Sequence, residues 1–199
     1  LVSALGAWSQ RTRPIPAAPA PSVAPLAALG DQLVAARGEV TTVRKQLARA
    51  QAVIGFSTRY QIPGDVSAAV YDAAVGAGVD PAIAFRLVKV ESNFKRTARS
   101  SAGALGLTQI QLATARFYDR NVTEAALMDR DVNLRLGFRY LKDLTVQFDH
   151  DTHLALLAYN RGPARVEQIL AEGGNPRNGY SSVVMKGYRP TAPTRGAAN

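Results

Sequence analysis

Glu91 is followed by a stretch, Ser92 to Tyr118, that holds no acidic residue and contains Gly103-Ala104-Leu105-Gly106-Leu107-Thr108-Gln109. A carboxyl group that ends an apolar helix, facing a glycine-bent loop with a glutamine beyond it, has the parts needed to protonate an oxygen bridging two sugars. Helical periodicity puts Ala84, Leu87, Val88 and Glu91 on one face, so the carboxyl sits beside residues that turn to the core. Desolvation there raises its pKa and keeps it protonated near neutrality. For an isolated surface glutamate the default is different: a helix-terminal side chain paired with a neighbour such as Lys89, Lys95 or Arg99. The surrounding residues shift that balance. Gly103 and Gly106 suit a loop that turns tightly or lets something approach its backbone, and Gln109 offers a donor and an acceptor to a sugar hydroxyl or amide.

The elements that must position these groups read as helices. Asp80 is an N-cap and Pro81 a first helical position, opening a helix through Phe85, Leu87, Val88 and Val90 toward Ser92. Before it, Val66 to Val75 ends at Gly76 and Gly78. After it, a helix is expected from Gly106 past Ala115. Asp129 or Asp131 caps the next, with Leu134, Phe138, Leu141 and Phe148 apolar at helical spacing. Asp151 or Thr152 opens a helix into Tyr159, Pro163 begins one that Gly173-Gly174 closes, and Tyr180 to Tyr188 forms a terminal one. No stretch alternates like a strand, and there is no internal repeat.

Three segments together carry a family resemblance: Val90-Glu91-Ser92-Asn93-Phe94, then Ala98 to Ile110, which includes Ser100 and the glycine-bent run, then Ala158-Tyr159-Asn160-Arg161-Gly162-Pro163. In order and spacing they resemble the motifs of the soluble lytic transglycosylase domain, over about Val66 to Tyr188. The resemblance implies a lysozyme-like fold and cleavage of the β-1,4 bond between N-acetylmuramic acid and N-acetylglucosamine in peptidoglycan, leaving 1,6-anhydromuramoyl ends. It implies that Glu91 donates a proton to the leaving oxygen and then accepts one from the muramoyl C6 hydroxyl. By the same matching, Ser100 and Gln109 hydrogen-bond sugar at the cleavage point, Tyr159 orients the reacting centre and Asn160 lines the adjacent wall.

Most glycosidases need two carboxylates, whereas the substrate's own acetamido group can replace the second. The acid-free stretch after Glu91 suits the one-carboxylate route. A distant acid such as Glu124, Asp129 or Asp131 folding into the cleft would suit a hydrolytic lysozyme, and a catalytically silent glycan-binding scaffold is the third alternative. The sequence departs from the family pattern at Thr108 and Gln111, where methionine is common, at Leu112 for proline, at Lys95-Arg96 for Asn-Pro, and at Arg161 for alanine. Thr108 and Gln111 are expected to make the floor of the sugar site more polar.

The predicted class is mainly α: a lysozyme-like helical domain with a substrate groove, preceded by an amphipathic helix. Residues 1–25 read as an apolar stub and a Pro/Ala-rich spacer, 26–60 as a heptad-like helix, 61–189 as the catalytic domain and 190–199 as a disordered tail. Leu26, Leu29, Leu33, Ala36, Val40, Val43, Leu47, Ala50 and Ile54 alternate spacings of three and four. Such a stripe ordinarily packs on its own domain or on a partner protein; self-association as a coiled coil is the sharper alternative, weakened by Gly30, Gly38 and the alanines.

With 199 residues, 47% of them hydrophobic, the chain suits one domain with appendages. Leu1 to Trp8 is too short to span a bilayer, and a start at Leu1 rather than Met fits a removed signal or a membrane anchor upstream. The expected location is the bacterial cell envelope, in the periplasm. The absence of cysteine excludes disulfides and thiolate metal sites. His150 and His153 lack a third ligand, so neither metal nor cofactor is expected. Net charge is +9, with seven basic and two acidic residues in 1–60 and the rest spread over the remainder. Peptidoglycan, with its anionic stem peptides, fits such a surface. Nucleic acid is not expected, because Trp8 is the only tryptophan and no motif sets aromatics among the basic residues.

Overall fold

The structure, a computed structural model, describes residues 24–188. The apolar stub, most of the Pro/Ala-rich spacer and the C-terminal tail lie outside the described residues. The chain forms two units, residues 1–46 and 47–199. What is described of the first is the leading part of helix α1 (Ala24–Tyr60), exposed from residue 28 onward. The second unit contains the end of α1, then α2 (Gly64–Ala77), α3 (Pro81–Ser92), the two-residue strands β1 (Ala104–Leu105) and β2 (Ile110–Gln111), α4 (Leu112–Tyr118), α5 (Glu124–Leu127), α6 (Arg130–Gln147), α7 (Thr152–Arg161), α8 (Pro163–Ala171) and α9 (Tyr180–Met185).

The capping residues set most of these boundaries. The Asp80 carboxylate accepts the Ala82 N–H at 2.7 Å, with Pro81 in the first turn. Asp129 accepts from both Asp131 and Val132 N–H at 3.0 Å, and Asp151 from Leu154 N–H at 3.0 Å. At the end of α2, Gly78 takes a left-handed φ of 67° while Val79 N–H reaches back to Ala74 C=O at 2.9 Å, which satisfies carbonyls the helix leaves open.

Helix α3 runs through the middle of the second unit. Ala84, Phe85, Leu87 and Val88 are all fully buried, against Val70 and Ala74 of α2, Leu134 and Phe138 of α6, Leu156 of α7 and Val184 of α9. Burying Phe85 alone contributes about 2–3 kcal/mol. The Phe85 ring stacks on Phe56 at 4.0 Å between centroids, and Tyr60 joins the cluster, so residues 52–60 of α1 are held to the domain by one face. The C-terminal end is tied in by Arg86, whose guanidinium donates to Lys186 C=O and, at 2.8 Å, to Gly187 C=O.

The structure corrects the reading of 104–118. Instead of a helix starting at Gly106, Ala104 and Leu105 pair antiparallel with Gln111 and Ile110, and α4 starts only at Leu112. Gly106 at φ 72° and Gln109 at φ 50° both lie in the left-handed region, and Gly106 N–H is taken by Ala98 C=O at 2.8 Å. Two residues in that region break a helix before it starts, whatever the apolar spacing around them. Strands of two residues are too short to show alternation, which is why none was legible.

Candidate active site

Glu91 occupies the last turn of α3, and two devices hold that turn against the hairpin. Asn93 closes the helix in a left-handed conformation, its N–H bonded to Lys89 C=O at 3.1 Å. Buried Ser92 then donates its hydroxyl hydrogen bond to the hairpin at Leu107 C=O, 2.8 Å away. The β1–β2 turn is therefore clamped to the helix that carries the carboxylate.

From the other side the turn is held by Asn133 of α6, only 1% exposed. Its amide oxygen accepts from Thr108 N–H and Thr108 Oγ1, and its amide nitrogen donates to Leu105 C=O and Leu127 C=O, all at 2.9 Å. Every hydrogen-bonding position of that side chain is used. Thr108 is accordingly buried against α6, not exposed in the floor of the groove, so its substitution for the family's methionine adds no polarity there; of the two, only Gln111 does.

An open groove of about 410 Å³ lies between the hairpin and the end of α7. It is lined by Glu91, Ser100, Gln109, Gln111, Tyr140, Tyr159, Asn160 and Arg161, among others. All five residues singled out in the sequence thus meet in one place. Ser100 Oγ accepts the Ala104 N–H at 3.0 Å and keeps its own hydrogen for a ligand. Both Gln109 amide hydrogens are turned inward, to Ala98 C=O at 3.1 Å and Gly106 C=O at 2.9 Å, so what Gln109 offers the groove is its oxygen. Tyr159 donates to Thr108 C=O at 2.8 Å, and its ring packs on Tyr140 with centroids 5.1 Å apart. Asn160 accepts from Asn178 Nδ2 at 2.9 Å, and Arg161 donates to Pro176 C=O at 2.8 Å, which draws the segment after α8 along the groove wall.

Among the described residues, Glu91 makes no ion pair. It is half-buried, and its partner is the Tyr180 hydroxyl, which donates to Oε1. Burial pushes the carboxyl above its ordinary range, with the Tyr180 hydrogen bond pulling the other way. Tyr180 is itself raised, by burial and then by the Glu91 charge, and so stays a neutral donor. Neither Tyr180 nor Asn133 was singled out in the sequence. Tyr180 lies 89 positions from Glu91, and only the packing of α9 on α3 brings them together; the sole hint for Asn133 was a polar residue beside Leu134 on an apolar helix face.

The other acids are occupied elsewhere. Glu124 pairs with Arg99 at 2.9 Å, Asp129 caps α6, and Asp131 binds Arg130 at 2.7 Å. None lines the groove, and among its lining residues Glu91 is the single carboxylate. No group of acidic, histidine or cysteine residues suited to a metal occurs among the described residues.

These features define a lysozyme-like helical domain with one carboxyl group in an open groove. The chain belongs to the transglycosylase SLT domain family, whose family model matches residues 69–178. It is 32% identical over 119 residues to the peptidoglycan transglycosylase gp16 of Escherichia phage T7, covering 58% of this chain and 8% of that protein. It is 28% identical over 127 residues to the soluble lytic murein transglycosylase of Salmonella typhimurium, covering 61% and 19%. Among solved structures, an inactive Glu-to-Gln mutant of the lytic transglycosylase Slt from Pseudomonas aeruginosa matches with a TM-score of 0.52 and 31% identity, over 59% of this chain and 22% of that one. The 70 kDa soluble lytic transglycosylase of Escherichia coli matches in fold with a TM-score of 0.55 at 22% identity, over 65% and 24%. The chain therefore spans less than a quarter of the length of each of these relatives.

Proposed function

We propose that this groove cleaves the MurNAc-β-1,4-GlcNAc bond of peptidoglycan without water as nucleophile, in the bacterial cell envelope. Glu91, held protonated by burial, gives its proton to the bridging oxygen as the C1–O bond breaks. The acetamido oxygen of the muramoyl residue stabilises the positive charge that develops at C1. The Glu91 carboxylate then takes the proton of the C6 hydroxyl, O6 closes on C1, and the 1,6-anhydro ring forms with the acid regenerated. Ser100 donates to sugar, the Gln109 oxygen accepts from it, Tyr159 fixes the reacting centre through its anchored ring, and Asn160 supplies the neighbouring wall.

The observation that carries this reading is the solitary carboxylate: a hydrolase of the usual kind needs a second one across the scissile bond, about 5–10 Å away. The inactivity of the Pseudomonas enzyme after a Glu-to-Gln exchange agrees with a mechanism that leans on one glutamate. Digestion of purified sacculi followed by mass spectrometry of the muropeptides tests it. Anhydromuramoyl ends, one water lighter than reducing ends, are expected; reducing ends alone would make the protein a lysozyme, and no release at all a silent binding scaffold.

Tyr180→Phe separates the acid's environment from its presence. Removing the phenolic hydrogen bond takes away the one contact that lowers the Glu91 pKa, so burial acts unopposed and the pKa rises further. The alkaline limb of the kcat/KM profile is expected to move to higher pH, with activity retained at acid pH. A limb that stays in place would show that another group sets it.

A further inference from the structure

The apolar stripe of α1 is exposed along the described helix. Leu29, Leu33, Val40, Val43, Leu47 and Ile54 are between 48 and 66% exposed. Within the second unit, the side chains that reach the domain come from other faces of the helix: Arg49 pairs with Asp72 at 2.5 Å, and Phe56 and Tyr60 stack on Phe85. The residues run in strict heptad order, with Leu33, Val40, Leu47 and Ile54 at a and Leu29, Ala36, Val43 and Ala50 at d. The line extends for about 38 Å. Gly30 and Gly38 fall at e and f, off the seam. A line of aliphatic side chains this long is unusual on a monomer, and over residues 28–51, where every side chain is exposed, propensity alone holds the helix.

We infer that α1 pairs with α1 of a second copy of this chain as a parallel, in-register, two-stranded coiled coil. The flanking charges select both the occupant and its direction. In a parallel pair Glu39, at g, faces Arg44, at e, of the other copy, and does so twice by symmetry. An antiparallel pair would set e against e and bring Arg37 and Arg44 onto like charges. Val40 and Ile54, β-branched at a, favour two strands. Pairing leaves the contacts of Arg49, Phe56 and Tyr60 untouched, and the inference does not depend on the chemistry assigned to the groove.

The test uses the 199-residue chain, which has no cysteine of its own. Val43→Cys places one thiol at d, where a parallel in-register pair brings the two Cβ atoms within disulfide reach. Mild oxidation is expected to convert Val43→Cys to a linked dimer far faster than Lys45→Cys, which lies at f on the outer face. Sedimentation equilibrium of the unaltered protein is expected to give a dimer in the micromolar range. Glu39→Arg and Arg44→Glu should each weaken that dimer, and the two together should restore it. A monomer throughout, with the seam covered by the chain's own residues or left for a different protein, overturns the inference. So does a dimer in which the two cysteines link at equal rates.

Discussion

Replacing Glu91 with Gln is expected to reduce lytic activity on sacculi by about 10³-fold, within the range that a positioned general acid contributes. Binding to sacculi should persist, because Gln keeps the shape of the side chain and can still accept the Tyr180 hydrogen bond. The same substitution should stabilise the fold at neutral pH. The folded state holds the Glu91 proton more tightly than the unfolded chain does, so stability falls as pH rises from the ordinary carboxylate range through the raised pKa. A glutamine carries no such cost. Melting curves should therefore show Glu91→Gln above the parent protein at pH 7, with the gap closing at acid pH where both side chains are neutral. A variant that loses lysis but melts lower at pH 7 would mean that the carboxylate is paired and stabilising, contrary to the burial seen here. Trade of stability for a desolvated acid is what a general acid working near neutrality requires.

The second large effect is structural. Asn133→Ala removes a side chain that makes four buried hydrogen bonds and takes its amide away from Thr108 N–H and from the Leu105 and Leu127 carbonyls. The expected loss is about 3–5 kcal/mol, from unsatisfied polar groups and the cavity left behind. For a chain of this size that lowers the melting temperature by about 10 °C or more. The turn packs closely on α6 around this side chain. A Cβ on Gly106 would lie 2.3 Å from Asn133 Nδ2, and one on Gly137 would lie 2.2 Å from Thr108 Oγ1. Gly137→Ala should consequently disturb the same turn through overpacking. At temperatures where Asn133→Ala is still folded, kcat should fall more than KM rises, since the hairpin that faces Glu91 is no longer fixed. Parent-like melting would show that the network is dispensable.

The parts of the site that were legible in the sequence are those whose function depends on local spacing. The Asp80-Pro81 start, the apolar run and the terminal carboxylate all sit on one helix, so period alone placed Glu91 beside the core. Ser100, Gln109, Tyr159 and Asn160 were found by resemblance, and the structure brings them to the same groove, although it turns the Gln109 amide hydrogens inward and leaves its oxygen outward. The hairpin was not legible, because the backbone from Leu105 to Gln109 is held by bonds of Gly106 to Ala98, of Leu105 and Thr108 to Asn133 and of Thr108 to Tyr159, which lie far away in the chain or outside the local pattern.

The heptad stripe of α1 shows the same division from the other direction. Its spacing was plain in the residues, but its exposure was not, because burial is a property of what lies opposite. Periodicity is written in one dimension, and so the sequence by itself determined most of the longer helices, the Asp80 cap and the presence of a single carboxyl before a long acid-free stretch. Which acids stay out of the groove and which phenol touches Glu91 were decided only by the packing of α3 against α2, α6, α7 and α9. Those outcomes depend on contacts between residues tens of positions apart, whose desolvation and hydrogen bonding exist only once the chain has closed on itself.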